Sequence, residues 1–147
     1  MKKVLKSVSI CFIIAAMLTT AALAAVPSDP AGPQASKYIA KTTTAIGALG
    51  GGKIEVDFSI TATGPMKDVG ALQVDIYEVG VTGPVWSHYY KDTGYGYFMG
   101  HNTGTHTGSV TYKGTSGHRY YAYVTFFAGE HGKAGDIHGM TTVITTA

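Results

Sequence analysis

The chain has 147 residues, 45% of them hydrophobic and only 14% charged, with twenty glycines, ten tyrosines and a single cysteine. That length suits one domain with its own core, and one cysteine excludes an internal disulfide or a thiolate metal cluster. The formal charge is +2, but beyond Lys2, Lys3 and Lys6 the basic residues are scattered singly, without the stripe a nucleic-acid binder needs to neutralise phosphates.

In chain order, Lys2, Lys3 and Lys6 come first, then the apolar run Ile10 to Leu18, then the small residues of Ala22-Leu23-Ala24. This is the pattern of an export signal over residues 1–24, cleaved after Ala24. Its apolar run is about half the roughly 20 residues that cross a bilayer, and no later segment comes close, so no membrane span is expected in the mature chain. Cys11 leaves with the signal. Lipidation there is not expected, because Ser7-Val8-Ser9-Ile10 follows directly on the lysines, with no apolar run ahead of the cysteine. Without the signal lysines, eight Lys and Arg face nine Asp and Glu, and a secreted, extracellular protein is the expectation. Asn102 is the one asparagine, and Asn102-Thr103-Gly104 is not a glycosylation sequon.

Residues 25–35 carry three prolines and read as an extended Ala/Pro leader. The domain is expected over 36–147. A Thr- and Ala-rich strand from Lys37 to Ala48 runs to the turn Gly50-Gly51-Gly52. From Lys53 to Ala62, Ile54, Val56, Phe58, Ile60 and Ala62 alternate with polar residues, the signature of a half-buried strand. Gly64-Pro65 is expected to end it. Leu72, Val74 and Ile76 start the next strand, and Val85 to Tyr90 forms a short aromatic one. Asp92 to Gly108, with glycine at 94, 96, 100, 104 and 108, reads as the longest loop. Strands at Ser109 to Tyr112, Tyr120 to Phe127 and Met140 to Thr145 complete about seven. Such strands must hide their dry faces on one another, so the expected fold is all-β, a two-sheet antiparallel β-sandwich.

Val110-x-Tyr112, Gly114-Thr115-Ser116-Gly117 and Tyr120-x-Ala122-x-Val124-x-Phe126-x-Ala128 resemble the corner before the penultimate strand of fibronectin type III and immunoglobulin-like sandwiches. That resemblance implies a buried Tyr120 ring whose hydroxyl bonds back to the loop. It implies no activity. The chain departs from antibody-type domains in lacking a cysteine pair and in placing Trp86 after the third strand. Signal, leader and a Gly/Thr/Tyr-rich domain together also resemble small secreted uncharacterised proteins of Gram-positive, Clostridia-type bacteria.

Three groups of residues bear on function. His101, His106, His131 and His138 lie in or beside expected loops and are the candidate metal ligands, since neutral imidazole binds zinc and copper. Their spacing matches no standard metal motif; solvated loop histidines are the competing reading. Trp86, Tyr89, Tyr90 and Tyr97 are the candidate glycan ligands, because aromatic faces stack on sugar rings. Tyr121, Tyr123 and Phe127 form a second outward row. Rows of this kind also arise from strand preference and cross-strand packing alone. The carboxylates form no nominated pair: Glu55, Asp57 and Asp75 fall on outward strand faces, and no Gly-x-Ser-x-Gly elbow occurs. No catalytic residue and no cofactor is assigned. The expectation is a non-catalytic extracellular binding or structural module whose partner is an extracellular macromolecule or glycan; the alternatives are a carbohydrate-binding module and a histidine metal-binding protein.

Overall fold

The computed structural model describes residues 36–92, 96–130 and 133–147. The expected signal and leader lie outside them. The described residues form a seven-stranded antiparallel sheet: β1 Ile39–Gly50, β2 Lys53–Glu78, β3 Pro84–Tyr89, β4 Met99–Lys113, β5 Arg119–Glu130, β6 Ala134–Thr141 and β7 Thr145–Thr146. A short 3-10 turn, Gly96–Phe98, precedes β4. The chain is all-β as its alternation requires, and all seven strands share one continuous hydrogen-bonded sheet. No helix among the described residues is long and apolar enough to cross a membrane.

The 26 residues of β2 are the spine. On one edge β2 pairs with β4 and then β3; on the other it pairs with β1 and then β5. Gly64-Pro65 bends this strand without ending it, contrary to expectation. Thr61 pairs with Thr105 and Met66 with Thr103, so residues 62–65 of β2 bulge opposite Gly104 alone. Pro65 sits where the ladder is already interrupted, so its missing N–H removes no rung. The bulge also switches the inward parity, from Ile54, Val56, Phe58 and Ile60 to Val69 and Ala71. A second shift, between Ala71 and Gln73, switches it back to Val74 and Ile76.

The expected loop from Asp92 to Gly108 is the other correction, since Met99–Lys113 is strand. Gly100, Gly104 and Gly108 share the inward parity with Val110, and neighbours press against Gly100 and Gly108. A Cβ at Gly108 would stand 2.5 Å from the Phe58 ring, and one at Gly100 would stand 2.9 Å from the Thr103 side chain. At the C-terminus the expected strand over Met140 to Thr145 is interrupted. Thr142 is buried there, and its hydroxyl accepts the Ala122 N–H at 2.9 Å in place of a ladder carbonyl.

Phe58, Phe98 and Phe126 centre the core, with Phe58 edge-on to the other two rings at 5.6 and 6.4 Å. Tyr120 is fully buried beside Gly114; its hydroxyl accepts the Thr115 N–H at 2.9 Å and donates to Glu78 Oε2 at 3.2 Å. The ring burial and back-bonded hydroxyl expected of Tyr120 are thus present.

The sheet curls until β1 and β6 meet through side chains. Asp136 Oδ2 accepts from Ser36 Oγ at 2.5 Å and from the Tyr38 N–H at 2.6 Å, and Thr42 Oγ1 lies 2.9 Å from Met140 Sδ. The Ser36 hydroxyl, followed by the Tyr38 amide, holds the Asp136 carboxyl below its ordinary 3.8. A carboxyl lowered in the folded state stabilises the fold above its unfolded value, and that contribution is lost as pH falls through the folded value. Amide protection at Tyr38 and Ile39 should therefore be high at neutral pH and fall as pH drops through the folded Asp136 value, below the ordinary 3.8, while protection across β2 stays unchanged. Protection at Tyr38 that persists to the acid limit of the folded state would show that Asp136 does not fasten this seam.

Candidate functional site

The two halves of the sheet present different outer faces. Over β1, the first half of β2 and the second half of β4 the face is hydroxylic: Thr43, Ser59 and Thr107 share one cross-strand row, and Ala45, Asp57 and Ser109 the next. A shallow groove of about 460 Å³ runs across them. Hydroxyls of this kind are as well satisfied by water as by a ligand.

The outer face over β3, the second half of β2, β5 and β6 is aromatic. Asp75 lies between Ser87 of β3 and Tyr123 of β5, Gln73 between Tyr89 and Thr125, and Tyr77 beside Tyr121. Period-two alternation sends Gln73, Asp75 and Tyr77 to one face of β2, and antiparallel register sets Tyr121 and Tyr123 opposite them. The Tyr77 and Tyr121 rings stack at 5.0 Å and 7°. On the β6 side Tyr123 pairs with Thr141, and its ring reaches over the diagonal Gly139, where a Cβ would overlap it. Tyr123 is 38% exposed and Tyr89 is 50% exposed.

Asp75 is polar yet only 6% exposed. Gln73 Nε2 donates to both of its oxygens, at 2.8 Å each, and the Ser87 hydroxyl donates to Oδ1. Burial, and after it the nearby Asp75 charge and the Tyr121 and Tyr123 hydroxyls, raises the Tyr77 phenol above its ordinary value.

Of the four candidate glycan ligands Trp86, Tyr89, Tyr90 and Tyr97, only Tyr89 joins this face. Trp86 and Tyr90 point inward and pack against the core, with the Trp86 ring 4.2 Å from His88. Tyr97 lies in the 3-10 turn, edge-on to Phe98 at 5.1 Å. The structure therefore does not bring Trp86, Tyr89, Tyr90 and Tyr97 together. Tyr121 and Tyr123 lie outward as expected. Phe127, 7% exposed, lies over Gly135 instead of extending the row.

The candidate metal ligands do not converge either. His101 Nδ1 is 2.7 Å from Asp68 Oδ1, His106 donates from Nε2 to the Tyr97 carbonyl at 2.6 Å, and His138 lies on β6 opposite Phe126. His131 lies outside the described residues. Among the described residues no three His, Cys, Asp or Glu side chains gather as a metal site. Asp75, Gln73, Ser87 and Tyr77 were not nominated from the sequence. The legible signal was Gln73-x-Asp75-x-Tyr77 beside Tyr121-x-Tyr123, two polar-aromatic alternations that needed register to be joined. No protein-family model, no curated protein and no solved structure matches the chain.

Proposed function

We propose that the protein is an exported, non-catalytic module that binds a glycan across the tyrosine face. The observation that carries this reading is the exposed pair Tyr89 and Tyr123 on either side of the Gln73–Asp75–Ser87 cluster. Flat rings supply apolar area for a sugar's CH face, and a fixed amide, carboxylate and hydroxyl between them orient its hydroxyls. Export is supported by the lysines and apolar run of residues 1–24. The two-layer sandwich is supported by the bulge at residues 62–65, where β2 leaves β1 and takes up β5. The buried, back-bonded Tyr120 supports the likeness to fibronectin type III and immunoglobulin-like domains.

Retention of the protein on insoluble polysaccharides tests the reading. Tyr89→Ala and Tyr123→Ala should each weaken retention roughly 3- to 10-fold, the worth of one stacked ring, with the fold intact. Wild-type protein that passes through every polysaccharide, or variants that bind as wild type does, would remove it.

A further inference from the structure

We infer that the glycan bound on the tyrosine face carries free amino groups, so that its ligand is a polymer containing unacetylated amino-sugar units with an ammonium seated above Asp75. This rests on the glycan reading above and names the chemistry that reading leaves open.

The argument starts from the surroundings of Asp75. A carboxylate removed from water is costly unless a cation or several donors compensate it. Asp75 is nearly buried, and its donors are the Gln73 amide and the Ser87 hydroxyl. The ion pairs among the described residues are Lys67–Glu130, Lys133–Glu130, His88–Asp92, His101–Asp68 and His118–Glu78, and none includes Asp75. The carboxylate is held in place and oriented, and no cation among the described residues pairs with it.

Arg119 and Lys91 do not take that role. Arg119 is on the same parity of β5 as Tyr123 but four residues away, about 13 Å along a strand and beyond the screening length at physiological salt. Lys91 lies over the Tyr90 ring at 5.9 Å, and Tyr90 packs toward the core.

The rings add charge of the same sign. The face of a tyrosine is the negative end of its quadrupole, and a cation within roughly 6 Å of it is attracted. Tyr89 and Tyr123 stand on the strands flanking β2, roughly 10–12 Å apart by strand spacing. A sugar ring between them places an amino group over Asp75 within reach of both. A neutral or N-acetylated sugar gains the stacking but brings no positive charge to the carboxylate, and so is bound less tightly.

The test compares wild-type protein and Asp75→Asn on an unacetylated glucosamine polymer, its N-acetylated counterpart and a neutral glucan. Wild type should prefer the free-amine polymer by about 10-fold, and Asp75→Asn should lose that preference while keeping its Tyr123-dependent binding. Because Asp75→Asn could disturb the Gln73 and Ser87 bonds, a second measurement uses wild type alone. Short unacetylated oligomers should displace it from the polymer at about a tenth of the concentration that N-acetylated ones need. Equal binding of all three polymers by wild type overturns the amine inference and leaves the glycan reading standing. Binding of the amine polymer that Asp75→Asn and Tyr123→Ala both leave unchanged is diffuse charge attraction, and it overturns the inference and the glycan reading together. Displacement by lysine-rich peptide but by no oligosaccharide overturns the inference in favour of a protein partner. No retention on any polymer removes the glycan reading itself.

Discussion

Phe58→Ala is expected to lower stability by about 3–5 kcal/mol, the usual cost of removing a buried ring. Phe58 is 2% exposed, packs edge-on against Phe98 and Phe126, and stands opposite Gly108 in the β2–β4 register. The void should close poorly, because Gly108 is the cross-strand partner and has no side chain to move in. For a domain of this size the thermal midpoint should fall by more than about 10 °C. The glycine makes the prediction sharper than a single truncation. In wild type, Gly108→Ala places a methyl 2.5 Å from the Phe58 ring and should destabilise by overpacking. In Phe58→Ala the same methyl enters the vacated space, and Ala suits a strand better than Gly. A double-mutant cycle by thermal or denaturant unfolding should give a coupling of about 1–3 kcal/mol. Additive effects would mean that the two positions do not share a cavity.

That pairing also explains what was legible in the sequence. The β2 alternation from Ile54 to Ala62 announced its buried face, because side chains alternate across a strand regardless of tertiary context. The stretch from Met99 to Gly108 did not announce a strand, because its glycines read as turn signals. Their meaning lies on the neighbouring strand: Gly108 makes room for Phe58, as Gly114 does for Tyr120 and Gly139 for Tyr123. A glycine that receives a ring and a glycine that turns the chain are the same letter until register is known. The candidate site was obscured for a related reason. Asp75 has the outward parity of a solvated charge, yet Gln73 from its own strand and Ser87 from β3 enclose it. Trp86 and Tyr90 look like a sugar platform by composition, and parity turns them toward the core. Parity within β2 itself could not be carried past Gly64-Pro65, because two bulges reset it.

Gly70→Ala should be strongly damaging for a single added methyl. Gly70 is buried in β2 between Met99 of β4 and Phe127 of β5. A Cβ there would overlap the Phe98 carbonyl oxygen and stand 2.8 Å from Met99 Cα. Both neighbours are backbone, so no rotamer change relieves the clash and one strand must move. The cost should reach about 2–3 kcal/mol, the upper part of the usual range for overpacking, with a fall in thermal midpoint of about 10 °C. The displacement should be local. Gly100 to Thr103 pair with β2 only over Met66 to Val69, beyond the bulge, while Thr105 to Lys113 pair independently with Lys53 to Thr61. Amide exchange should therefore speed up across residues 99–103 and stay slow across 105–113. The tyrosine face should survive, because β2 from Gln73 to Tyr77 is held by β3 on one side and β5 on the other. Well below its midpoint, Gly70→Ala should bind ligand within about 2-fold of wild type, inside the roughly 0.5 kcal/mol by which separated sites add. It then serves as a stability control for Tyr123→Ala, which should weaken binding with little change in midpoint. Uniformly faster exchange through β4, or a loss of binding matching that of Tyr123→Ala, would show that the aromatic face depends on β4 and is not held by β3 and β5 alone.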